Sequence, residues 1–395
     1  MSHFRLGVGV TSIQRQNLPD DSYMWCLTLD NGENVDFHNV FVCTGLYGNP
    51  DMPEFPNQDE FAGKIFHSKE VTHASLVEGK HVLVLGCGRS AIDVALNIKR
   101  NGAKSTDIVF RTAHWFVPHK IANLVPYDWA IYSRFGALLL HPYHQPSLAA
   151  KLLHDFGWLL KWAILRLVEF IVATQQGLSK LGMKPTTPLE IDAFGPGALE
   201  NNPSFFQAAI AGEIQVHSNN QIEQFTKTGV TLRNNENLKA DVVLLATGYK
   251  PADFQAIFPK ENLQRENDGI YLYRHVICPS IPGVFFIGAL SDTYSNITMD
   301  AIQSRWACEV LKKNVHLPTC IEMEKEVNRV KKWKRSWMPF TRYRGGHLQL
   351  HQVHYYDELI MDFNGRWNRK SNHISELFAP YHPFDYSSIV DYSEK

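Results

Sequence analysis

Residues His81 to Ala95 read HVLVLGCGRSAIDVA, an apolar run followed by two glycines, Gly86 and Gly88, and a small residue, Ala91, in G-x-G-x-x-A spacing. Glycine at 86 permits a tight turn after a buried strand, and glycine at 88 lets the backbone approach a pyrophosphate. Ala91 lets the next helix lie close to that strand. A helix opening near Ser90 offers N–H groups and the positive end of its dipole to phosphate oxygens. The chemistry served by this spacing is dinucleotide binding. An NAD site places an acid about 20 residues further on, for the ribose 2′-hydroxyl. Here the stretch DIVFRT puts Arg111 at that place, and a guanidinium pairs bidentately with a 2′-phosphate. NADP is therefore expected over NAD. Arg89, inside the turn, is either a second phosphate ligand or a solvated surface charge.

The turn needs a strand before it and a helix and second strand after it: a β–α–β unit over residues 81–112, with the strand at 81–85, the helix from about Ser90 to Asn101 and the next strand at 107–110. Upstream, β-like runs at 7–15, 23–29 and 39–43 form a small antiparallel patch, with an Asn31-Gly32 turn between the second and third. The third ends in Thr44-Gly45, after which Pro50, Pro53 and Pro56 stiffen a crossing segment. Residues 115–200 read as helical with proline breaks, an insertion. Short strands at 213–217, 222–226 and 229–233 precede LKADVVLLATGYKP, a buried strand ending in Thr247-Gly248, and a helix is expected at 300–313. The pattern of a strand followed by Thr-Gly thus occurs twice. Three segments are expected: 1–79, 80–245 carrying the insertion at 115–200, and 246–395.

The 39 basic and 40 acidic residues leave no field to favour nucleic acid. Six scattered cysteines without C-x-x-C spacing argue against a disulfide framework and a zinc site, so a reducing, cytoplasmic compartment is expected. The opening residues lack the apolar run of a signal peptide. Residues 147–176 are apolar but interrupted by Lys151, His154, Asp155, Lys161, Arg166 and Glu169. Each charge would cost about 2.5–3.5 kcal/mol at a bilayer centre, which excludes a spanning segment. Leu152, Leu153, Phe156, Leu159, Leu160, Ala163, Ile164, Leu167, Phe170 and Ile171 recur at helical spacing, and such a stripe is expected to face the core. The alternative is shallow, peripheral contact with a membrane through Trp158 and Trp162 beside Lys161 and Arg166.

Just upstream of the turn, FAGKIFHSKEV spaces Phe61, Gly63, His67 and Val71. This resembles the F-x-G-x-x-x-H-x-x-x-(F/Y) signature of flavin-containing monooxygenases, with Val71 in place of the aromatic. Ala246-Thr247-Gly248-Tyr249 resembles the family's A-T-G-Y element. VFFIGALSDTYSNITMDAIQSRW, HLQLHQVHYYDELIMDFN and LFAPYHPFDY resemble its later segments, in the same order. Arg89 stands where the family's turn commonly has asparagine. The resemblance implies an α/β chain with a two-dinucleotide-binding-domain flavoprotein architecture, in which the first βαβ unit of the FAD domain has no counterpart among these residues.

The same resemblance implies FAD and NADP as cofactors and an activity like that of N,N-dimethylaniline monooxygenase. NADPH reduces the flavin, a C4a-hydroperoxide forms with molecular oxygen, and a small molecule with a soft nitrogen or sulfur nucleophile is oxygenated. The protein's part is to position the nicotinamide and exclude water. It implies that His67 helps shape the nicotinamide site, and that Thr44, Gly45, Gly288 and Gln303 approach the flavin. With the FAD turn uncounterparted, residues 1–395 alone are expected to bind NADP without firmly held flavin. An NADP-binding protein, or a gene-model fragment, without flavin catalysis is the competing reading. A flavin-dependent disulfide reductase is disfavoured by the missing C-x-x-C.

Overall fold

The computed structural model describes residues 3–390 except 21, 196–198, 201–202, 264, 290 and 293–294. Contacts divide the chain into one unit formed by Met1–Gly48, Pro251–Lys370 and His382–Lys395, and a second formed by Asn49–Lys250 and Ser371–Tyr381.

The second unit is built on a five-stranded sheet in the order Gln215–His217, Ser105–Val109, His81–Leu85, Val242–Leu245, Lys64–His67, every pair parallel. Its central strands are apolar throughout because both faces are covered. The helix Arg89–Arg100 buries Ala91, Ile92, Ala95, Leu96 and Ile98, and contacts the strands His81–Leu85 and Ser105–Val109. Leu83, Val109, Val243 and Leu245 pack with Phe225, Val230 and Leu232 of a three-stranded antiparallel sheet, Ile222–Thr226, Gly229–Leu232 and Asn237–Lys239. Lys64–His67 pairs with Val242–Leu245, so residues 49–79, grouped with the N-terminal segment in the sequence, sit in this unit. Residues 371–381 also join it: Glu376 pairs with Arg134 at 2.7 Å, and the Tyr381 N–H donates to Tyr132 O.

The apolar stripe at 147–176 departs from expectation twice. It forms two helices, Leu148–Asp155 and Trp158–Gln175, separated at Phe156 and Gly157. Most of its apolar residues do not face the core as expected, although Leu153, Ile164 and Ile171 are half-buried. Leu152, Phe156, Leu159, Leu160, Leu167 and Phe170 are exposed together with Trp158 and Trp162, whereas Leu165, Val172 and Ala173 are buried. The charges decide the orientation. Arg166 pairs with Glu190, and Glu169 Oε1 accepts from the Leu189 N–H at 2.7 Å, so the charged side of the second helix faces its own protein. No helix among the described residues is long and apolar enough to cross a membrane.

The first unit carries an antiparallel sheet of Val10–Asn17, Tyr23–Leu29 and Asn34–Phe37. The Asn31-Gly32 turn leads into Asn34–Phe37, a strand too polar to read from its sequence, rather than into residues 39–43. Val40–Val42 instead pairs in parallel with Val284–Phe286. Trp25, Phe258, Ile281, Val284 and Phe286 form the core. The helix Asn296–Leu311, expected at 300–313, packs on Gln352–Asp362, and Cys320–Trp337 is closed at its start by a Thr319/Glu322 capping box.

Candidate functional site

The carboxyl ends of the parallel strands in the second unit bring most of the expected residues to one edge of the sheet, since Leu85 lies in register with both Val109 and Leu245, and Leu245 with His67. Ligands of open α/β sheets bind at such ends. Gly86 has φ 137°, and a Cβ there would come within 2.5 Å of the Ala246 carbonyl oxygen, so only glycine fits. At Gly88 an added Cβ would meet no atom within 4 Å, which leaves open space above the turn. Gly88 begins the helix Arg89–Arg100 without a side-chain cap, and the backbone N–H groups of Gly88 and Ser90 have no acceptor among the described residues. The turn therefore presents donors to open space at a positive helix end. Burial pushes the Cys87 thiol up to about 12, which makes it a packing residue and not a nucleophile.

The two arginines differ. Arg89 lies 3.6 Å from Asp93 one helical turn on. Arg111 is exposed two residues beyond the strand Ser105–Val109 and has no hydrogen-bond or ion-pair partner among the described residues. Arg89 is thus engaged by Asp93, whereas the Arg111 guanidinium is not engaged by any described residue.

His67 is fully buried. Its Nε2 bonds the Gly248 carbonyl at 2.9 Å, its Nδ1 accepts from the Lys69 N–H at 3.3 Å, and its ring meets Tyr249 edge-on. The Thr247 hydroxyl donates to Asp51 O. His67 and Thr247 thus lock the 247–249 turn rather than offer free polar groups.

In the first unit, Thr44 and Gly45 are exposed beyond the strand Val40–Val42, and Gly45 has φ 69°. Gly288 stands beyond Val284–Phe286, the strand paired with Val40–Val42, and its N–H donates to Gln303 Oε1 at 2.9 Å. Gln303 is fully buried, with its Nε2 donating to the Tyr355 hydroxyl at 2.8 Å, which in turn donates to Arg274 O. The Gln303 amide is consumed in shaping the Gly288 turn.

A family profile described as Flavin-binding monooxygenase-like matches residues 3–162 and 196–376, most of the chain. The chain belongs to that family. A probable flavin-containing monooxygenase 1 of Arabidopsis thaliana is 29% identical over 394 residues, 94% of this chain and 73% of that protein. Dimethylaniline monooxygenase [N-oxide-forming] 2 of Cavia porcellus is 26% identical, covering 85% of this chain and 58% of that protein. The chain spans less than two thirds of the length of the vertebrate flavin-containing monooxygenases it matches. Among solved structures, cyclohexanone monooxygenase from Rhodococcus sp. Phi1 bound to NADP+ aligns with TM-score 0.59 at 16% identity, over 92% of this chain and 80% of that one. S-allyl-L-cysteine S-oxygenase from Allium sativum aligns with TM-score 0.55 at 19% identity, over 91% and 61%. The shared fold is the parallel-sheet α/β architecture of flavin monooxygenases.

Residues 163–195 fall outside the match to the flavin-binding monooxygenase-like family, and within them lies a residue that no sequence motif flags. Asp192 is buried, and its two oxygens accept from His114 Nδ1–H at 3.0 Å and from the Trp115 N–H at 2.8 Å.

Proposed function

We propose that this chain carries the NADP-binding site of an FAD- and NADPH-dependent monooxygenase that oxygenates a small molecule at a soft nitrogen or sulfur. The observation that carries this reading is the turn at Gly86 and Gly88, open to solvent at a helix start, with the unpartnered Arg111 on the neighbouring strand end. The turn would hold the pyrophosphate, Arg111 the 2′-phosphate, and the 247–249 turn locked by His67 would form a wall of the site. FAD, when bound, would supply the redox chemistry, with NADPH as the electron donor. In the first unit, Gly45 and Gly288 have left-handed backbone and Gln303 holds Gly288, and these residues with Thr44 would approach such a group. The names of relatives that form N-oxides and of a structural neighbour that oxygenates sulfur support the soft-nucleophile reading. Oxygen uptake with NADPH, added FAD and an alkylamine or a thioether tests it. Uptake that rises with either substrate and yields the oxide is expected. NADP+ binding with no turnover in any combination would instead favour a nucleotide-binding protein without flavin catalysis.

The outward apolar face of residues 148–170 supports a second element of the reading, peripheral contact of a cytoplasmic protein with the endoplasmic reticulum membrane. Leu152, Phe156, Leu159, Leu160, Leu167 and Phe170 are exposed with Trp158 and Trp162, while Lys151, Lys180 and Lys184 lie exposed in or just after this segment. Cosedimentation with phosphatidylserine vesicles is expected for the wild type and lost in Phe156→Ser/Leu160→Ser. Wild type that stays in the supernatant contradicts it.

A further inference from the structure

Arg111 can discriminate NADP from NAD only if the loop carrying it is held in place, and that loop has few bonds of its own. Upstream, Phe110 is tied to the sheet, its N–H donating to His217 O at 3.3 Å and its carbonyl accepting from the Asn220 N–H at 2.9 Å. Residues 111–113 have no backbone hydrogen bond among the described residues. The next anchor is Asp192, which takes the Trp115 N–H and His114 Nδ1–H on its two oxygens, while the Trp115 indole N–H donates to Thr187 O at 2.7 Å. The Cys87 thiol, inside the glycine turn, also rests against the His114 backbone. Asp192 closes the short helix Leu189–Asp192, which is fixed to the long helix Trp158–Gln175 by Arg166 to Glu190 and by Glu169 to the Leu189 N–H.

We infer that Asp192 is a positioning residue for nucleotide discrimination: by pinning His114 and Trp115 it fixes the loop from which Arg111 reaches a 2′-phosphate. The inference rests on the NADP reading above. It gives the inward-facing charges of the helix Trp158–Gln175 a role, because Arg166 and Glu169 hold the element that carries Asp192. Both Asp192 oxygens accept an N–H, one from His114 and one from Trp115, so the carboxylate ties two consecutive residues of this segment to one point.

The test is the ratio of NADP+ to NAD+ affinity, measured calorimetrically on the full chain. Asp192→Ala is expected to weaken NADP+ binding about tenfold with NAD+ changed less than about twofold, and to add nothing in an Arg111→Ala background, because residues acting through one contact are not additive. Asp192→Asn, which keeps an acceptor for the Trp115 N–H, recovers part of the loss. Should Asp192→Ala fail to fold, His114→Phe removes the imidazole contact alone and is expected to show the same NADP-selective loss, reduced in size. No loss, a loss shared equally by NAD+, or one that adds to Arg111→Ala overturns the inference. If Arg111→Ala itself leaves NADP+ affinity unchanged, the assignment of the 2′-phosphate to Arg111 fails first.

Discussion

Two strand ends in this protein carry glycines in similar local sequence, and they end differently. His81–Leu85 is the middle strand of five parallel ones, and its glycine turn runs straight into the helix Arg89–Arg100. Val40–Val42 has one parallel partner among the described residues, Val284–Phe286, and its Thr44-Gly45 leads into loop. Each glycine supplies the bend, but only the first is followed by a helix start with uncapped N–H groups. A phosphate site needs both parts. Thr247-Gly248 repeats the dipeptide and the bend, Gly248 having φ 82°, but its groups are tied to His67 and Asp51.

Substitution of the two glycines should separate these strand ends most strongly. Gly86→Ala drives a Cβ against the Ala246 carbonyl at 2.5 Å in a backbone conformation that disfavours side chains. It is expected to abolish NADP+ binding and to destabilise the second unit by about 3 kcal/mol, read by calorimetry and urea unfolding. Gly45→Ala meets no atom within 4 Å, so it is expected to cost only about 1 kcal/mol of left-handed strain and to leave NADP+ affinity unchanged. Similar outcomes for the two would erase the distinction.

Gln303→Leu is next in size. Losing the amide leaves the half-buried Gly288 N–H without its acceptor and the buried Tyr355 hydroxyl without its donor, a loss of about 1–3 kcal/mol in urea unfolding with NADP+ affinity intact.

The smallest effect is a pH dependence confined to the second unit. His217 bonds Asp107 at 2.9 Å and lies 3.4 Å from Glu236, and the Asp107 hydrogen bond raises its pKa above the usual histidine value. A folded pKa above the unfolded one gives stability that is complete below about pH 6.5 and lost as pH rises through the raised value. Thermal unfolding of His217→Gln is expected to trail the wild type most near pH 6 and to converge with it at alkaline pH. A gap of constant size across that range would remove the charge from the explanation.

Much of the second unit was legible because local pattern and tertiary role agree there. HVLVL, the two glycines and the small Ala91 each mean one thing, and the helix begins within one residue of its expected start. Asn34–Phe37 was not legible, because an exposed edge strand needs no apolar face. The stripe at 147–176 announced a helical period but not which side is buried. That was settled by Glu190 and Leu189, twenty or more residues from their partners Arg166 and Glu169. Asp192 and the true task of Gln303 were invisible for the same reason: a carboxylate or an amide acquires its role from distant N–H groups, and no local spacing encodes them.

NADP+ and NAD+ binding to the wild type and to Arg111→Ala shows whether the Gly86 turn and Arg111 form an NADP-selective site. Wild type is expected to prefer NADP+, and Arg111→Ala to lose about 1.5–3 kcal/mol for NADP+ while scarcely changing for NAD+. Equal affinity of the wild type for both nucleotides, or equal losses in the variant, would contradict it.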